Sequence, residues 1–341
     1  MAEGRASAGG AAASGKATGA GWHFILDLDG VVYREKELLP GARTFFQAAA
    51  AEGSDWVFVT NNSTRTPASF AERLTGLGIP TEPERVLTSS VATARYLRGP
   101  LREELGHPVR AMVIGETGLF DTLQEAGIEI VDAGGAWAER NARDRAIDAV
   151  VVGLDTRFDY SKLRAACHFI RQGAIFIGTN PDKTFPYADG IGPGCGALLA
   201  AVEACSGKSP RLMGKPGRPL LEAALDRLGL AELVSTLPST GASAARSASE
   251  PSSPASSPGT TRGLPSFQGK RVLIIGDRLD TDIAFARRHG LPSCLVLTGV
   301  TSPRDVADLE ALPGEWRPDW VVGDLGELAA RLFPSAGGSG G

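Results

Sequence analysis

An apolar run that ends in two aspartates constrains the fold of this chain more than any other stretch. The run His23-Phe24-Ile25-Leu26 leads toward Asp27 and Asp29, which are two positions apart and are followed by Gly30. Buried parallel strands read as continuous apolar runs, and alternate residues of a strand lie on one face. The stretch therefore predicts a parallel α/β sheet with both carboxylates at the carboxyl end of one strand, although a strand running into an Asp-Gly turn also accounts for it.

A second acidic cluster follows another apolar strand near the end of the chain. Residues 272–275 run into Gly276, and carboxylates follow at Asp277, Asp280 and Asp282. Helix capping explains one of these acids well and the set badly. Carboxylates that are brought together raise each other's pKa values, and an oxygen-rich site suits Mg²⁺. The two clusters together predict a magnesium site.

Two other places in the chain carry hydrogen-bond donors that suit a phosphate group. The predicted strand 57–59 runs into Thr60, Asn61 and Asn62 just before a predicted helix. A hydroxyl, two amides and a helix N-terminus form a nest for an anion, although ordinary turn and capping chemistry also explains them. Lys215 stands between a glycine and a proline before another helix, which favours a phosphate-facing role over that of a surface lysine.

Composition excludes several classes of protein. The chain has 341 residues and 43% hydrophobic content, which is enough for one large or two ordinary domains. Its net charge of −4, without a basic run, argues against nucleic acid as a partner. No apolar run approaches the length of a membrane span, so we expect no membrane association. Four cysteines without CxxC spacing predict reduced thiols in a cytoplasmic protein.

The chain divides into segments of different character. Residues 97–203 repeat an α/β pattern with few polar clusters, and they are predicted to be an inserted α/β cap domain. Residues 22–96 and 204–334 are predicted to form a doubly wound parallel-sheet core. We expect disorder in the small and polar residues of three segments, which are the tail 1–21, the insertion 236–268 and the tail 335–341. The first tail has no secretory signal, and an organelle transit peptide stays open.

Taken together, the motifs resemble the haloacid dehalogenase superfamily of phosphatases. The order and spacing match for Asp27 and Asp29 in DxDG, the strand-end Thr60, Lys215 before a proline, and Gly276-Asp277 with Asp282. The chain is similar to the large-cap subgroup of p-nitrophenyl phosphatase-like enzymes, phosphoglycolate and pyridoxal phosphatases and the nucleotide phosphatase NagD. The similarity covers about residues 22–235 and 269–330. It rests on the sequences VTNNS (59–63), GLD-x-x-FDY (153–160), TNPD (179–182), PGCGAL (193–198) and GKP (214–216).

The resemblance implies a Mg²⁺-dependent phosphomonoester hydrolase that acts on a small phosphorylated metabolite. Asp27 would attack phosphorus and form an aspartyl-phosphate, and Asp29 would protonate the leaving oxygen and then activate water. Mg²⁺ would lie between the Asp27 carboxylate, the Asp29 backbone carbonyl and Asp277, with Asp282 in support. The phosphoryl oxygens would be held by Thr60, Asn61, Asn62 and Lys215.

The resemblance leaves the substrate open. In this subgroup the cap covers the leaving group, so contacts are expected from the loop that carries Asp182 and Phe185. Pyridoxal phosphatases carry a histidine at what looks like the position of Phe185, which favours 2-phosphoglycolate or a generalist p-nitrophenyl phosphatase. Nucleotide, sugar-phosphate and pyridoxal phosphatases are the alternatives within the family. A phosphorylated receiver domain, a mutase and a non-catalytic scaffold are alternatives from other classes, and a homodimer stays open.

Overall fold

A computed structural model of the protein describes residues 21–132, 146–187, 190–238 and 266–334. The predicted disorder of the tails 1–20 and 335–341, and of residues 239–265 in the insertion, lies outside the described residues. Numbered along the chain, the strands are β1 His23–Leu26, β2 Tyr33–Arg34, β3 Glu37–Leu38, β4 Asp55–Thr60, β5 Val86–Thr88, β6 Arg110–Ile114, β7 Glu129–Asp132, β8 Ala149–Val152, β9 Ile175–Gly178, β10 Thr184–Tyr187, β11 Gly190–Pro193, β12 Arg211–Leu212, β13 Val272–Gly276, β14 Ser293–Val296 and β15 Trp320–Val322.

Helices connect most of these strands. Several begin at a side chain that caps the helix: the Thr66 hydroxyl accepts from Ser69 N at 3.3 Å, and Pro67 follows at the first helical position. No helix in the described part of the chain is long and apolar enough to cross a membrane. The helices are Ala42–Ala51, Pro67–Gly76, Ser89–Tyr96 with its continuation through a π-helical turn (Leu97–Leu101) into Arg102–Leu105, Thr117–Glu125, Tyr160–Arg171, Cys195–Ser206, Arg218–Arg227, Ala284–Arg288 after a π-helical turn (Leu279–Ile283), and Leu325–Leu332; 3₁₀ turns are Pro83–Arg85, Ala231–Thr236, Leu309–Ala311 and Gly314–Trp316.

Six strands form a parallel core sheet in the order β15-β14-β13-β1-β4-β5. Its two faces are both buried, as the side-chain alternation of β1 shows. Phe24 and Leu26 pack in an aromatic-rich cluster with Phe45 and Phe58, whereas Ile25 packs on the opposite face with Val57. Because helices cover both faces of a parallel sheet, the prediction of a doubly wound α/β core is confirmed.

A second sheet, in the order β12-β9-β8-β6-β7, is also parallel and lies in the chain between β5 and β13. It forms the inserted α/β cap domain that the sequence predicts. Its short edge strand β12 belongs to the stretch just before Lys215. Apolar packing is continuous from the core to the cap, since one buried cluster includes Val57 of β4 and Val151 of β8. The boundaries at residues 97 and 203 stay predictions.

Candidate active site

Three neighbouring strands of the core sheet end in polar side chains at the same edge. β1 lies between β4 and β13, so Asp27, Thr60 and Asp277 emerge side by side. All three side chains are buried. Parallel strands share one carboxyl edge, and this geometry brings together residues that are far apart in the chain.

The ammonium group of Lys215 lies between two of the carboxylates. Its Nζ atom donates a hydrogen bond to Asp27 and a second one, of 2.6 Å, to Asp282. Burial by itself would lower the pKa of Lys215, but the two carboxylates outweigh that effect and raise it. Burial raises the pKa of Asp27 well above its usual range, and Lys215 opposes the shift. Lys215 is therefore a fixed positive charge against Asp27.

Asp282 has both carboxylate oxygens engaged by the protein. Oδ1 accepts from Lys215, and Oδ2 accepts from the backbone N–H groups of Asp277 at 3.2 Å and Arg278 at 3.1 Å. A Cβ atom on Gly276 would lie 2.1 Å from the Cβ of Asp282, so only glycine allows this close approach. Asp282 thus fixes the end of β13 and the lysine at the same time.

The carboxylate of Asp277 is held by a backbone N–H group from another segment of the chain. Its Oδ2 atom accepts a 2.6 Å hydrogen bond from Val300 N, in the loop after β14. Burial, and then the charge of Asp282, raises the pKa of Asp277 from its ordinary value of 3.8 to about 7. The hydrogen bond from Val300 and the charges of Lys215 and Arg278 therefore compensate the negative charge of the ionised carboxylate only in part.

The residues present fit a divalent cation. Among the described residues, Asp27, Asp277 and Asp282 each place a carboxylate oxygen within 4.8 Å of the others, and all three are buried. Lys215 supplies one positive charge against three carboxylates. Burial, and to a smaller extent the neighbouring carboxylates, raises the pKa values of Asp27 and Asp277, so a cation that binds them would offset a charge that the protein leaves partly uncompensated. Oxygen ligands of this kind are those that Mg²⁺ takes in proteins.

Asp29 stands apart from this cluster. Its side chain is exposed to solvent, yet desolvation by the surrounding protein raises its pKa, against the opposing charges of Arg73, Lys215 and Arg65. Gly30, which follows it, has a φ of 85°, and a Cβ there would lie 2.7 Å from Asp277 Oδ2. Glycine is therefore required after Asp29 both by the backbone conformation and by the closeness of Asp277.

The loop after β4 is tied mainly to itself and to Lys215. Thr60 Oγ1 accepts from Asn62 N at 3.1 Å, and Asn62 Oδ1 accepts from Thr64 N at 2.9 Å. Asn61 Oδ1 accepts from Lys215 N at 2.7 Å, while Asn61 Nδ2 donates to Lys215 O at 3.1 Å. The amide side chain of Asn61 thus pairs with both backbone polar groups of Lys215.

The cap loop brings one of its two candidate residues to the core. Asp182 Oδ1 accepts from Asn61 Nδ2 at 3.3 Å, which places it beside the Lys215 turn. Phe185 instead lies on β10, half-buried against the apolar cluster of the cap, with its ring centroid 5.3 Å from that of Tyr187. The two residues therefore occupy different surroundings, although they are three positions apart.

Sequence reasoning did not assign roles to two polar residues that support the site. Asn180 Nδ2 donates to Asn61 O at 2.9 Å, and Ser89 Oγ donates to the same carbonyl at 2.8 Å. Both are buried. Asn180 stands in the conspicuous TNPD loop, which was the available signal, whereas Ser89 at the start of a helix gave none.

Comparison with known proteins agrees with this geometry. A family model described as haloacid dehalogenase-like hydrolase matches residues 24–129, and a second, HAD-hydrolase-like model matches residues 212–328. An acid sugar phosphatase from Staphylococcus aureus is 31% identical over 309 residues, which are 91% of this chain and 97% of the relative.

Solved structures show the same similarity. A 4-nitrophenylphosphatase from Thermotoga maritima superposes with a TM-score of 0.69 at 28% identity, covering 91% of this chain and 96% of that one. A glycerol phosphate phosphatase from Mycobacterium tuberculosis, solved in complex with magnesium, superposes with a TM-score of 0.67 at 30% identity, covering 90% and 76%.

The doubly wound core, the inserted cap and the acidic site at the strand ends define a capped phosphatase. The chain belongs to the haloacid dehalogenase-like hydrolase family, in the group of phosphatases that contains these relatives.

Proposed function

We propose that the protein is a Mg²⁺-dependent phosphomonoester hydrolase that forms an aspartyl-phosphate on Asp27. The observation that carries the proposal is the ion pair between Asp27 and the buried Lys215, next to Asp277 at the end of the neighbouring strand. A carboxylate attacks phosphorus only when it is ionised, and Lys215 favours the ionised form of Asp27 in a site where burial disfavours it.

The metal ligands of the proposal are Asp27, the backbone carbonyl of Asp29, and Asp277. When bound, Mg²⁺ supplies positive charge that offsets the negative charge of the phosphoryl group and of its ligands. Asp282 holds Lys215 and the end of β13, so its part is to support the other side chains.

Asp29 is the proposed acid and base. Its side chain is exposed, so it is accessible to a leaving oxygen and then to a water molecule. A raised pKa favours a carboxyl group that holds a proton for the leaving group and takes one from water in the second step. Thr60, the backbone of Asn61 and Asn62, and Lys215 are the proposed donors to the phosphoryl oxygens.

For the substrate, we propose a small phosphorylated metabolite, with 2-phosphoglycolate or a broad set of phosphomonoesters as the first candidates. Phe185, in the cap hairpin formed by β10 and β11, is half-buried and apolar and carries no charge that would select one leaving group, which supports a broad set of substrates. The names of the relatives support adding sugar phosphates and glycerol phosphate to the candidates. A cytoplasmic location stays a prediction, and a homodimer remains open.

The experiment that tests this function is a set of initial rates with p-nitrophenyl phosphate, 2-phosphoglycolate, glycerol phosphate, glucose 6-phosphate, a nucleoside monophosphate and pyridoxal phosphate. Rates are measured with Mg²⁺ and with excess EDTA. We expect phosphate release that requires Mg²⁺. Full activity in EDTA would contradict the assignment, a requirement for a bisphosphate would indicate a mutase, and a stable phosphoprotein without turnover would indicate a receiver domain.

A further inference from the structure

Among the described residues, Asp182 is the one acidic residue of the cap whose side chain is hydrogen-bonded to the loop after β4. Its Oδ1 atom accepts from Asn61 Nδ2 at 3.3 Å, and its backbone N–H donates to Asn180 Oδ1 at 3.2 Å. A second cap contact meets the same core residue, since Asn180 Nδ2 donates to Asn61 O at 2.9 Å. The cap loop therefore forms hydrogen bonds with both the side chain and the backbone carbonyl of Asn61.

The side chain of Asn61 connects the cap loop to the backbone of Lys215. Its Oδ1 atom accepts from Lys215 N, and its Nδ2 atom donates to Lys215 O, so both polar groups of that backbone are fixed by one amide. Nδ2 has two hydrogens, and the second of them is free for Asp182. An amide flip would lose the bonds to Lys215 N, to Lys215 O and to Asp182 together, so the carboxylate adds to the contacts that hold the amide in the orientation that Lys215 needs.

We propose that Asp182 is a positioning residue of the phosphate site, which acts through Asn61 to fix the Lys215 backbone and thereby the Lys215 ammonium group. This inference rests on the proposed phosphatase function. It assigns Asp182 to the phosphoryl end of the substrate, whereas the sequence placed it among the contacts to the leaving group. On this proposal the cap covers the phosphate site and also helps to position Lys215 within it.

The charge of Asp182 and its proposed positioning role predict opposite changes in phosphate affinity when the residue is replaced. The direction of the measured change therefore distinguishes them. The charged groups that face Asp182 are Arg278 and Lys215, which attract it, and Asp282, which repels it. If Asp182 mattered only as a negative charge near an anion site, its removal would strengthen phosphate binding. If it positions Lys215, removal of the acceptor weakens phosphate binding, although a repulsive charge has also been removed.

The test compares Asp182→Ala with Asp182→Asn, since an asparagine keeps an acceptor oxygen and loses the charge. Binding of inorganic phosphate in the presence of Mg²⁺ is measured by calorimetry, which does not depend on turnover. Rates are measured with p-nitrophenyl phosphate, glycerol phosphate and 2-phosphoglycolate. Glu203→Ala, which removes an exposed carboxylate from another part of the cap, is the matched control. Melting curves establish that each variant is folded, and Asp182→Ser, too short to reach Asn61, replaces the alanine variant if that one is not.

We expect Asp182→Ala to weaken phosphate binding by about three- to tenfold, the loss of one hydrogen bond, and to lower kcat/KM by a similar factor for all three substrates. Asp182→Asn should bind phosphate at least as well as the wild type. In an Asn61→Ala background, Asp182→Ala should have little further effect because both act through one contact. Tighter phosphate binding in both Asp182 variants, or losses that differ widely between substrates, would overturn the inference. A wild type that binds phosphate and hydrolyses none of the substrates would count against the proposed function alone.

Discussion

Lys215 and Asp282 are joined by a 2.6 Å hydrogen bond between side chains that are 3% and 2% exposed. The pair links two segments that no local pattern connects, since the residues are 67 positions apart. It places one positive charge against two of the three buried carboxylates, since Lys215 also pairs with Asp27. The stability of the site, its metal affinity and its reactivity all depend on that balance of charge.

Replacing Lys215 by methionine should destabilise the metal-free protein by about 3–5 kcal/mol at neutral pH, because the buried carboxylates of Asp27 and Asp282 lose the ammonium group that pairs with them. Methionine keeps most of the volume, so the loss reports charge more than packing. Urea denaturation of wild type and variant measures the difference. Lys162→Met, which breaks a partly buried ion pair with Asp155 in the cap, is the control and should keep its activity. A Lys215→Met protein as stable as the wild type would contradict this account of the site.

The metal-free protein should lose stability as the pH rises from about 4 to about 7, because folding raises the pKa of Asp277 from 3.8 to about 7. Between those values the folded state holds a proton that the unfolded state has released, so stability falls as pH increases. Mg²⁺ should reverse the trend, since it binds the ionised form, and its effect on Tm should be larger at pH 8 than at pH 5.5.

Melting curves of the wild type and of Asp277→Asn, with and without Mg²⁺, measure both effects. The variant should lose much of the pH dependence and most of the stabilisation by Mg²⁺. An unchanged pH profile in Asp277→Asn would show that Asp277 does not titrate in this range.

Two glycines allow the cost of a strained backbone conformation to be measured separately from the cost of a steric clash with Asp277. Gly30 and Gly53 both have positive φ, 85° and 64°, but a Cβ on Gly30 would meet Asp277 and Gly299, whereas a Cβ on Gly53 would meet nothing within 4 Å. Gly53→Ala should cost about 1–2 kcal/mol in stability and leave kcat unchanged. Gly30→Ala should cost more and should also displace Asp277, which lowers Mg²⁺ affinity. Denaturation and Mg²⁺ titration of the two variants check this, and equal Mg²⁺ affinities would refute it.

Phe185→Ala should change the order in which substrates are preferred, mainly through kcat/KM, because the residue belongs to the cap hairpin and not to the phosphate site. Rates on p-nitrophenyl phosphate should fall least. Tyr160→Ala removes an exposed aromatic ring elsewhere in the cap and should leave the order intact. A uniform decline for every substrate would show that Phe185 only packs against Tyr187 and the cap core.

The sequence predicts the parts of the site that depend on local pattern. An apolar run that ends in acids was enough to place Asp27 and Asp277 at strand ends, and the parallel order of β1 and β13 then brought them together. The sheet type and the inserted cap followed from the same alternation of strands and helices.

Contacts between distant segments could not be predicted in the same way. Asn61 and Lys215 are 154 positions apart, and Thr298, which donates to Gly30 O at 2.6 Å, is 268 positions from its partner. Besides its positive φ, Gly30 is required because Asp277 and Gly299 crowd it, and both approach it only in the folded chain. Nothing in the local sequence around Asn61 indicates that its amide binds a backbone and not a phosphate.

The central claim is that Asp27 forms a bond to phosphorus, and rapid acid quenching tests it most directly. Wild type and Asp27→Asn are mixed with p-nitrophenyl phosphate and Mg²⁺, quenched within the first turnovers and analysed by peptide mass spectrometry. The account predicts a phosphoryl group on the wild-type peptide that contains Asp27, and a loss of several orders of magnitude in turnover for the variant. A phosphoryl group on another residue, or a variant within about tenfold of wild-type activity, would contradict it.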